Sequence, residues 1–371
     1  MDGAWERVRR VLCVRLDTLG DVLMTTPALR ALKMSHARPS ITLLTSRVGA
    51  AVAAMVPEID DVIVYDAPWL KATSPRDSAY ADHAMVHRLE ARAFDAAVVF
   101  TVYSQSPLPA AMLCYLAGIP LRLAHCHENP YQLLTTWVSD PEPARYVRHE
   151  VRRQLDLVAA VGCATTDDRL SLRVPADACA AAAQRLEDAD VDLARPWILI
   201  HPGATAASRR YPPEHFARAA QRLARTYRQQ IVFTGTDDER PLVDGIRTAM
   251  GAPSHSLAGA LTLAELAAVI ARAPVLIANN TGPVHLAAAL GTPVVDLYAL
   301  TNPQHTPWRV PSRVLSHDVP CKYCYKSVCP ERHHDCLRRI APETVVRATR
   351  ELLAEASAVA AAGRPALAIP S

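Results

Sequence analysis

Long apolar stretches are what this sequence lacks first: along its 371 residues, no run of about eighteen apolar residues is free of charges. That excludes a transmembrane helix from the expectations. The opening residues 1–10 alternate acids and arginines and lack the apolar core of a signal peptide, which predicts a cytoplasmic protein. Charge of one sign is scarce as well. Lys and Arg total 40 against 37 Asp and Glu, a formal net charge of +3, too small an excess to predict a nucleic-acid partner. It still permits an anionic substrate or peripheral contact with the inner face of the plasma membrane. Neither a Walker A motif nor a G-x-G-x-x-G fingerprint occurs, which argues against a P-loop ATPase and a dinucleotide oxidoreductase. With no export signal, the nine cysteines are expected to be reduced, and Cys13, Cys114, Cys126, Cys163 and Cys179 sit singly in apolar or Ala-rich surroundings that suit small buried hydrophobes.

What is present is length and alternation. A chain of 371 residues that is 50% hydrophobic is long enough for two cores, and a composition shift over 165–196 divides it into domains at 1–175 and 176–341. A closing helix over 342–357 and an Ala- and Pro-rich tail over 358–371, expected to be disordered, follow. In the first half, strand-like runs at 8–16, 41–45, 62–65, 96–101 and 121–124 alternate with helical stretches at 23–33, 48–55, 83–92 and 108–117. This is the pattern of an α/β fold with a parallel sheet, which binds ligands at the carboxyl ends of its strands. The loops after the first and fourth strands then share a rim. Asp21 lies on it, beside Gly20 at a helix start, where the plain reading is an N-terminal stabiliser. Gln105, Asn129, Tyr131 and Arg153 are acceptor candidates from rim position, although a solvated loop explains 125–153 more economically.

The second half repeats the architecture, with strands at 197–200, 230–234, 274–278 and 294–299. Three of its loops are built from small residues: His201-Pro202-Gly203-Ala204-Thr205, Gly235 to Glu239, and Asn279-Asn280-Thr281-Gly282 leading into Pro283-Val284-His285. The last joins an apolar strand to a helix that Gly291 and Pro293 break. Such a junction leaves backbone N–H groups unpaired with the helix dipole behind them, an anion cradle in which Thr281 can cap the helix and Gly282 admits a ligand. A tight structural turn is the alternative for any one loop. Three on one rim, with Arg209 and Arg210 nearby, favour a nucleotide diphosphate. Cys321, Cys324, Cys329 and Cys336 form a C-x2-C-x4-C-x6-C segment that suits a structural zinc or iron ion, against readings as disulfides or free thiols, with His333 and His334 as substitutes.

Leu16-Asp17-Thr18-Leu19-Gly20-Asp21-Val22 with Thr25-Thr26-Pro27-Ala28-Leu29, His201-Pro202-Gly203-Ala204, Arg209-Arg210-Tyr211-Pro212 and Asn279 to Leu290 together resemble glycosyltransferase family 9, the ADP-heptose heptosyltransferases, in the right order from about residue 8 to 352. The resemblance implies a GT-B architecture, two Rossmann-like domains facing across a cleft, and transfer without a catalytic metal and with inversion at the anomeric carbon. The substrates implied are an ADP-sugar donor and a glycan or glycolipid acceptor such as lipopolysaccharide core. By the same resemblance Asp21 falls at the catalytic base, which matches the need of an inverting transfer for a carboxylate on the acceptor side. Arg209 falls where many members have a phosphate-binding lysine, and Thr281, Gly282 and His285 fall at the diphosphate turn. Glu239 falls at the acid that meets the ribose. Further donor contacts fall at Gly20, His201, Gly203, Ala204, Thr205, Gly235 and Gly259. Where the family commonly has Asp-Thr-Gly this chain has Asn280-Thr281-Gly282, so the donor-sugar contact passes to a neutral amide or is absent. A nucleotide-sugar epimerase on the same architecture and a non-catalytic sugar-nucleotide binder are the competing expectations.

Overall fold

The computed structural model describes residues 4–71 and 73–362. The chain forms two compact units, Met1–Arg173 and Val174–Ser371. The first runs β1 (Arg10–Arg15), α1 (Leu19–Lys33), β2 (Ser40–Thr45), α2 (Arg47–Ala53), β3 (Asp61–Val64), α3 (Tyr80–Ala91), β4 (Ala96–Val99), α4 (Leu108–Leu116), β5 (Leu121–Cys126), β6 (Thr136–Ser139) and α5 (Glu150–Ala159). The second runs α6 (Ala176–Asp188), β7 (Trp197–His201), α7 (Pro213–Tyr227), β8 (Gln230–Phe233), α8 (Arg240–Met250), β9 (His255–Ser256), α9 (Leu263–Arg272), β10 (Leu276–Asn279), α10 (Gly282–Leu290), β11 (Val294–Leu297), β12 (Ser312–Leu315), α11 (Asp335–Arg338) and α12 (Pro342–Ala362).

Each unit holds a six-stranded sheet, in the order β3-β2-β1-β4-β5-β6 in the first and β12-β11-β10-β7-β8-β9 in the second. The pairings are parallel throughout, for example Val11 opposite Ile41 and Ala96 in the first and Ile277 opposite Ile200 and Val295 in the second. Read from the first strand of each unit, the order is the same doubly wound one. Its direction reverses between β1 and β4 and again between β7 and β10, and such reversals open a crevice at the carboxyl ends of the strands. The inner strands are apolar on both faces because helices cover both sides: all four residues of β4 and all five of β7 are buried. Leu12, Val14, Val99 and Ala111 anchor the first core, and Ile200, Phe216, Phe233 and Leu352 the second. Burying each of the larger side chains is worth about 1.5–3 kcal/mol.

Local signals set the helix ends. Thr262 and Glu265 form the expected capping box on α9, and Gly291, at φ +77°, ends α10 in the left-handed region that glycine tolerates. Elements of both units differ from the sequence expectation. β6 and β12 were not anticipated, because both are four-residue edge strands without a full apolar face and are recruited by pairing with β5 and β11. The Ala-rich stretch taken as a boundary folds into α6, which packs on α9. α12 packs on α7, β11 and β12 and runs to Ala362, so residues 358–362 of the expected tail are helical, while 363–371 lie outside the described residues. Among the described residues no helix is long and apolar enough to cross a membrane.

Candidate functional site

In the first unit the reversal point is occupied by charge. β1 ends on Arg15, which is fully buried and forms ion pairs with Asp17 (3.0 Å), Asp21 (3.0 Å) and Glu150 of α5 (2.7 Å). Burial works against the guanidinium charge, but Glu150, Asp17 and Asp21 outweigh it and hold the pKa of Arg15 above its ordinary value. Asp21 sits in the first turn of α1, where its Oδ2 accepts from the Thr18 N–H (2.9 Å) and hydroxyl (2.7 Å). It is therefore the helix stabiliser of the plain reading and a member of the Arg15 cluster at once, with 7% of its surface exposed. Gly20 beside it is buried in the same turn. Asp17 accepts from Gln105 Nε2 at 2.7 Å. Burial pushes its pKa up to about 6 against the pull of Arg15, with Asp21 adding like charge.

Asp17 and Gln105 line a cavity of about 260 Å³ whose other walls include Trp69, Leu70, Phe100 and Pro109. Trp69 is 37% exposed and braced edge-on by Tyr65 at 5.7 Å. An indole face beside a carboxylate and an amide can hold a sugar ring. Of the four acceptor candidates, Gln105 is the one that lines this cavity. Asn129 is exposed, with its Oδ1 accepting from the Tyr131 N–H (2.9 Å), and Tyr131 is 82% exposed. Arg153 is buried, paired with Asp140 (2.6 Å) and Glu142 (2.8 Å), and donates to the Thr101 carbonyl, bonds that fasten α5 and its approach to the sheet.

In the second unit, the loops after β7, β8, β9 and β10 carry the predicted donor residues. His201 ends β7, with Nδ1 3.1 Å from Thr234 Oγ1 and Nε2 3.7 Å from Glu239 Oε2. Burial lowers its pKa despite Glu239, which favours the neutral imidazole. Glu239 Oε2 accepts from the Thr236 N–H (2.9 Å), and its side chain lies across two glycines. A Cβ on Gly203 would overlap its carboxylate, and one on Gly235 would stand 3.2 Å from its Cβ. Gly259 sits at φ +68° beneath the Arg240 guanidinium. Ala204 and Glu239 line a cavity of about 400 Å³ with Arg210, Glu214 and Arg338, and Thr205 is exposed at its edge of the loop.

At the loop after β10 the structure departs from the expected cap. Thr281 Oγ1 donates back to the Asn279 carbonyl (3.2 Å) and gives α10 no side-chain cap. Its backbone, φ −146° and ψ −171°, is extended as at other helix starts, and the hydroxyl is spent on the strand carbonyl instead of the helix N–H groups. Gly282 opens α10 and stays partly exposed, whereas His285 is buried with its ring 6.4 Å from that of His305. Asn280 faces inward. Its Nδ2 donates to Asp296 Oδ2 (2.9 Å) and to the His305 carbonyl (2.9 Å). Asp296, on β11, is fully buried, and that burial pushes its pKa up to about 8 with Asn280 opposing. Arg209 lines a separate polar cavity of about 80 Å³ with Thr301, Asn302, Tyr325, Lys326 and Ser327.

The four clustered cysteines line one small cavity together with His333 and His334, and Cys321 Sγ lies 3.8 Å from His333 Nε2. Burial and the neighbouring thiols hold Cys321 and Cys336 above the ordinary thiol value. Among the described residues, however, no group of three or more His, Cys, Asp or Glu side chains is arranged to hold a metal ion. The sulfurs share a cavity without converging on one point.

Arg15, Trp69, Asp296 and Lys326 were not among the residues expected from the sequence, and Glu150 was expected only as one of several polar residues of the 125–153 stretch that could line an acceptor pocket. Arg15 left a signal, a cation ending an otherwise apolar strand; that it pairs with Asp17 and Asp21, and with Glu150 from far along the chain, was decided by the fold.

The family model for glycosyltransferase family 9 (heptosyltransferase) matches residues 83–334. Lipopolysaccharide heptosyltransferase 1 of Pseudomonas aeruginosa is 27% identical over 327 residues, 86% of this chain and 87% of that protein. Lipooligosaccharide heptosyltransferase 2 of Campylobacter jejuni is 28% identical over 160 residues, 42% of this chain and 50% of that protein, so that match spans about half of its length. The solved structure of Escherichia coli ADP-heptose LPS heptosyltransferase II superposes with a TM-score of 0.71 at 22% identity, covering 94% of this chain and 99% of that one, a likeness of fold.

Proposed function

The chain belongs to glycosyltransferase family 9, and from that premise we propose that it transfers a heptose, or a similar sugar, from an ADP-sugar to a hydroxyl of a lipopolysaccharide-core or other cell-envelope glycan, with inversion at the anomeric carbon. The observation that carries this reading is the placement of complementary chemistry at the two sheet reversals: buried carboxylates held on Arg15 in the first unit, and small-residue loops meeting a helix N-terminus in the second. Asp21 takes the proton of the acceptor hydroxyl as the new carbon–oxygen bond forms and the bond from the anomeric carbon to the diphosphate breaks. The helix start at Thr281 and Gly282, with Arg209, meets the negative charge that grows on the departing ADP. Glu239, lying over Gly203, meets the ribose. The cavity beside Trp69, Asp17 and Gln105 receives the acceptor sugar.

One observation favours a second assignment for the proton acceptor. Asp17 lines that cavity and titrates near pH 6, where a general base works well at neutral pH. It shares a guanidinium with Asp21, whose like charge helps hold the Asp17 pKa up.

The four cysteines take a structural zinc or iron ion in this proposal. Its support is the tetrathiolate spacing and the shared cavity, and closing the site requires the sulfurs to converge. No step of the transfer runs through it. The enzyme works in the cytoplasm at the inner face of the membrane, where glycolipid acceptors are presented. The test is a melting-temperature panel of nucleotide sugars followed by product analysis with the stabilising donor: ADP-heptose is expected to stabilise selectively and yield a glycosylated acceptor with inverted anomeric configuration. A free epimer without acceptor would instead establish the epimerase.

A further inference from the structure

The polar cavity of about 80 Å³ beside Arg209 is lined by two cations, three hydroxyl groups and one amide: Arg209, Lys326, Thr301, Tyr325, Ser327 and Asn302. No carboxylate stands among its described lining residues. A guanidinium fork, an ammonium and neutral donors around a small hollow make an anion site of phosphate chemistry. We infer that the four-cysteine segment contributes Lys326 as a second phosphate-binding cation opposite Arg209, so that this segment is part of the nucleoside diphosphate site. The inference rests on the donor reading above and extends it to a residue outside the family motifs quoted for this chain.

The backbone shows how the segment is held there. Ser208, the residue before Arg209, donates its N–H to the Ser327 carbonyl (3.0 Å) and its hydroxyl to the Lys326 carbonyl (2.7 Å). On the other side, Tyr325 N–H donates to the Thr301 carbonyl (2.9 Å) and Tyr323 N–H to the Leu300 carbonyl (2.6 Å). The stretch between Cys324 and Cys329 is thus stitched to the loop after β7 and the loop after β11 at once. Tyr323 and Tyr325 adopt φ +62° and +53°, a conformation disfavoured for residues with a Cβ by about 1–2 kcal/mol each. Strain of this kind persists where surrounding bonds over-determine it, as at ligand clamps. Two hydrogen bonds on each flank supply that determination here.

The test is isothermal titration of the full chain with ADP, pyrophosphate and adenosine, comparing wild type, Lys326→Ala and Lys322→Ala. Lys322 also belongs to the segment, but its ammonium pairs with Asp318 (2.8 Å). Lys326→Ala is expected to weaken ADP and pyrophosphate by about tenfold, the scale of one charge-assisted hydrogen bond, while adenosine affinity and melting temperature stay unchanged. Lys322→Ala is expected to match wild type for all three ligands. Unchanged ADP affinity in Lys326→Ala, or an equal loss for adenosine, overturns the inference and leaves the donor reading standing. A wild-type chain that binds no ADP overturns both.

Discussion

Replacing Asp17 by Asn separates the two carboxylates that share Arg15. Both lie 3.0 Å from nitrogens of that guanidinium, which sets them roughly 5 Å apart for a planar fork. At an effective dielectric between about 20 and 40, two negative charges at that separation repel by about 2–3 kcal/mol, equivalent to about one to two pH units. Asp17→Asn keeps an oxygen for the Gln105 Nε2 bond and removes the repulsion. That repulsion is carried by Asp17, whose pKa it helps raise to about 6. Asp17 is already neutral at more acid pH, so if Asp21 is the base the acid limb of kcat/KM is expected to stay in place in Asp17→Asn, while Asp21→Asn is expected to lower the Asp17 pKa by about one to two units. Turnover on the alkaline side of the limb stays within about tenfold, because the base survives. Asp21→Asn is expected to cost about 10²- to 10⁴-fold in kcat at every pH while ADP still binds. The assay is ADP release from the donor in the presence of acceptor, profiled over about pH 4 to 9. An Asp17→Asn enzyme as inactive as Asp21→Asn would refute the assignment and make Asp17 the base. An acid limb that moves by about one unit or more, or an Asp17 pKa that stays near 6 in Asp21→Asn by carboxyl NMR, would refute the electrostatic reasoning.

Three further outcomes follow from the second unit. Asp296 holds its proton up to about pH 8 when folded, against an ordinary value of 3.8, so its contribution to stability is fully present below about pH 4 and is lost as pH rises through about 8. Asp296→Asn is expected to flatten the pH dependence of the urea midpoint across that window and to be more stable than wild type at pH 9; an unchanged slope sinks the idea. Gly203→Ala places a methyl on the Glu239 carboxylate. Driving that carboxylate off the Thr236 N–H costs about 1 kcal/mol of cap stability and is expected to weaken adenosine and ADP alike, read by calorimetry; full nucleoside affinity would remove Glu239 from the ribose site. Purified protein is expected to carry one zinc or iron per chain by elemental analysis, lost in Cys321→Ser and Cys336→Ser and on chelation, with a lowered melting temperature. A metal-free, equally stable wild type ends the metal proposal.

Local sequence set the alternation of strands and helices, the capping box on α9, the glycine stop of α10 and the positions of the three small-residue loops. Each depends on neighbours a few residues apart, through backbone φ preferences, helix caps and apolar runs. It put the loops after the first and fourth strands on one rim, but the strand orders that create the two reversals were decided by which strands pair, because the same alternation is compatible with more than one doubly wound order. Edge strands β6 and β12 were decided by the sheet they join, since four residues without a full apolar face specify nothing until a partner strand offers its hydrogen bonds. The same distinction holds at the site. Gly203 and Gly235 were legible as small, but the Glu239 side chain that requires them was not. Asn280 and Arg153 read as polar groups free to meet a ligand, and only packing revealed Asp296 and the Asp140–Glu142 pair that engage them. A buried charge must find its counter-charge in the folded interior. That partner is chosen by which elements meet in space, and for Arg15 it lay in α5, far along the chain.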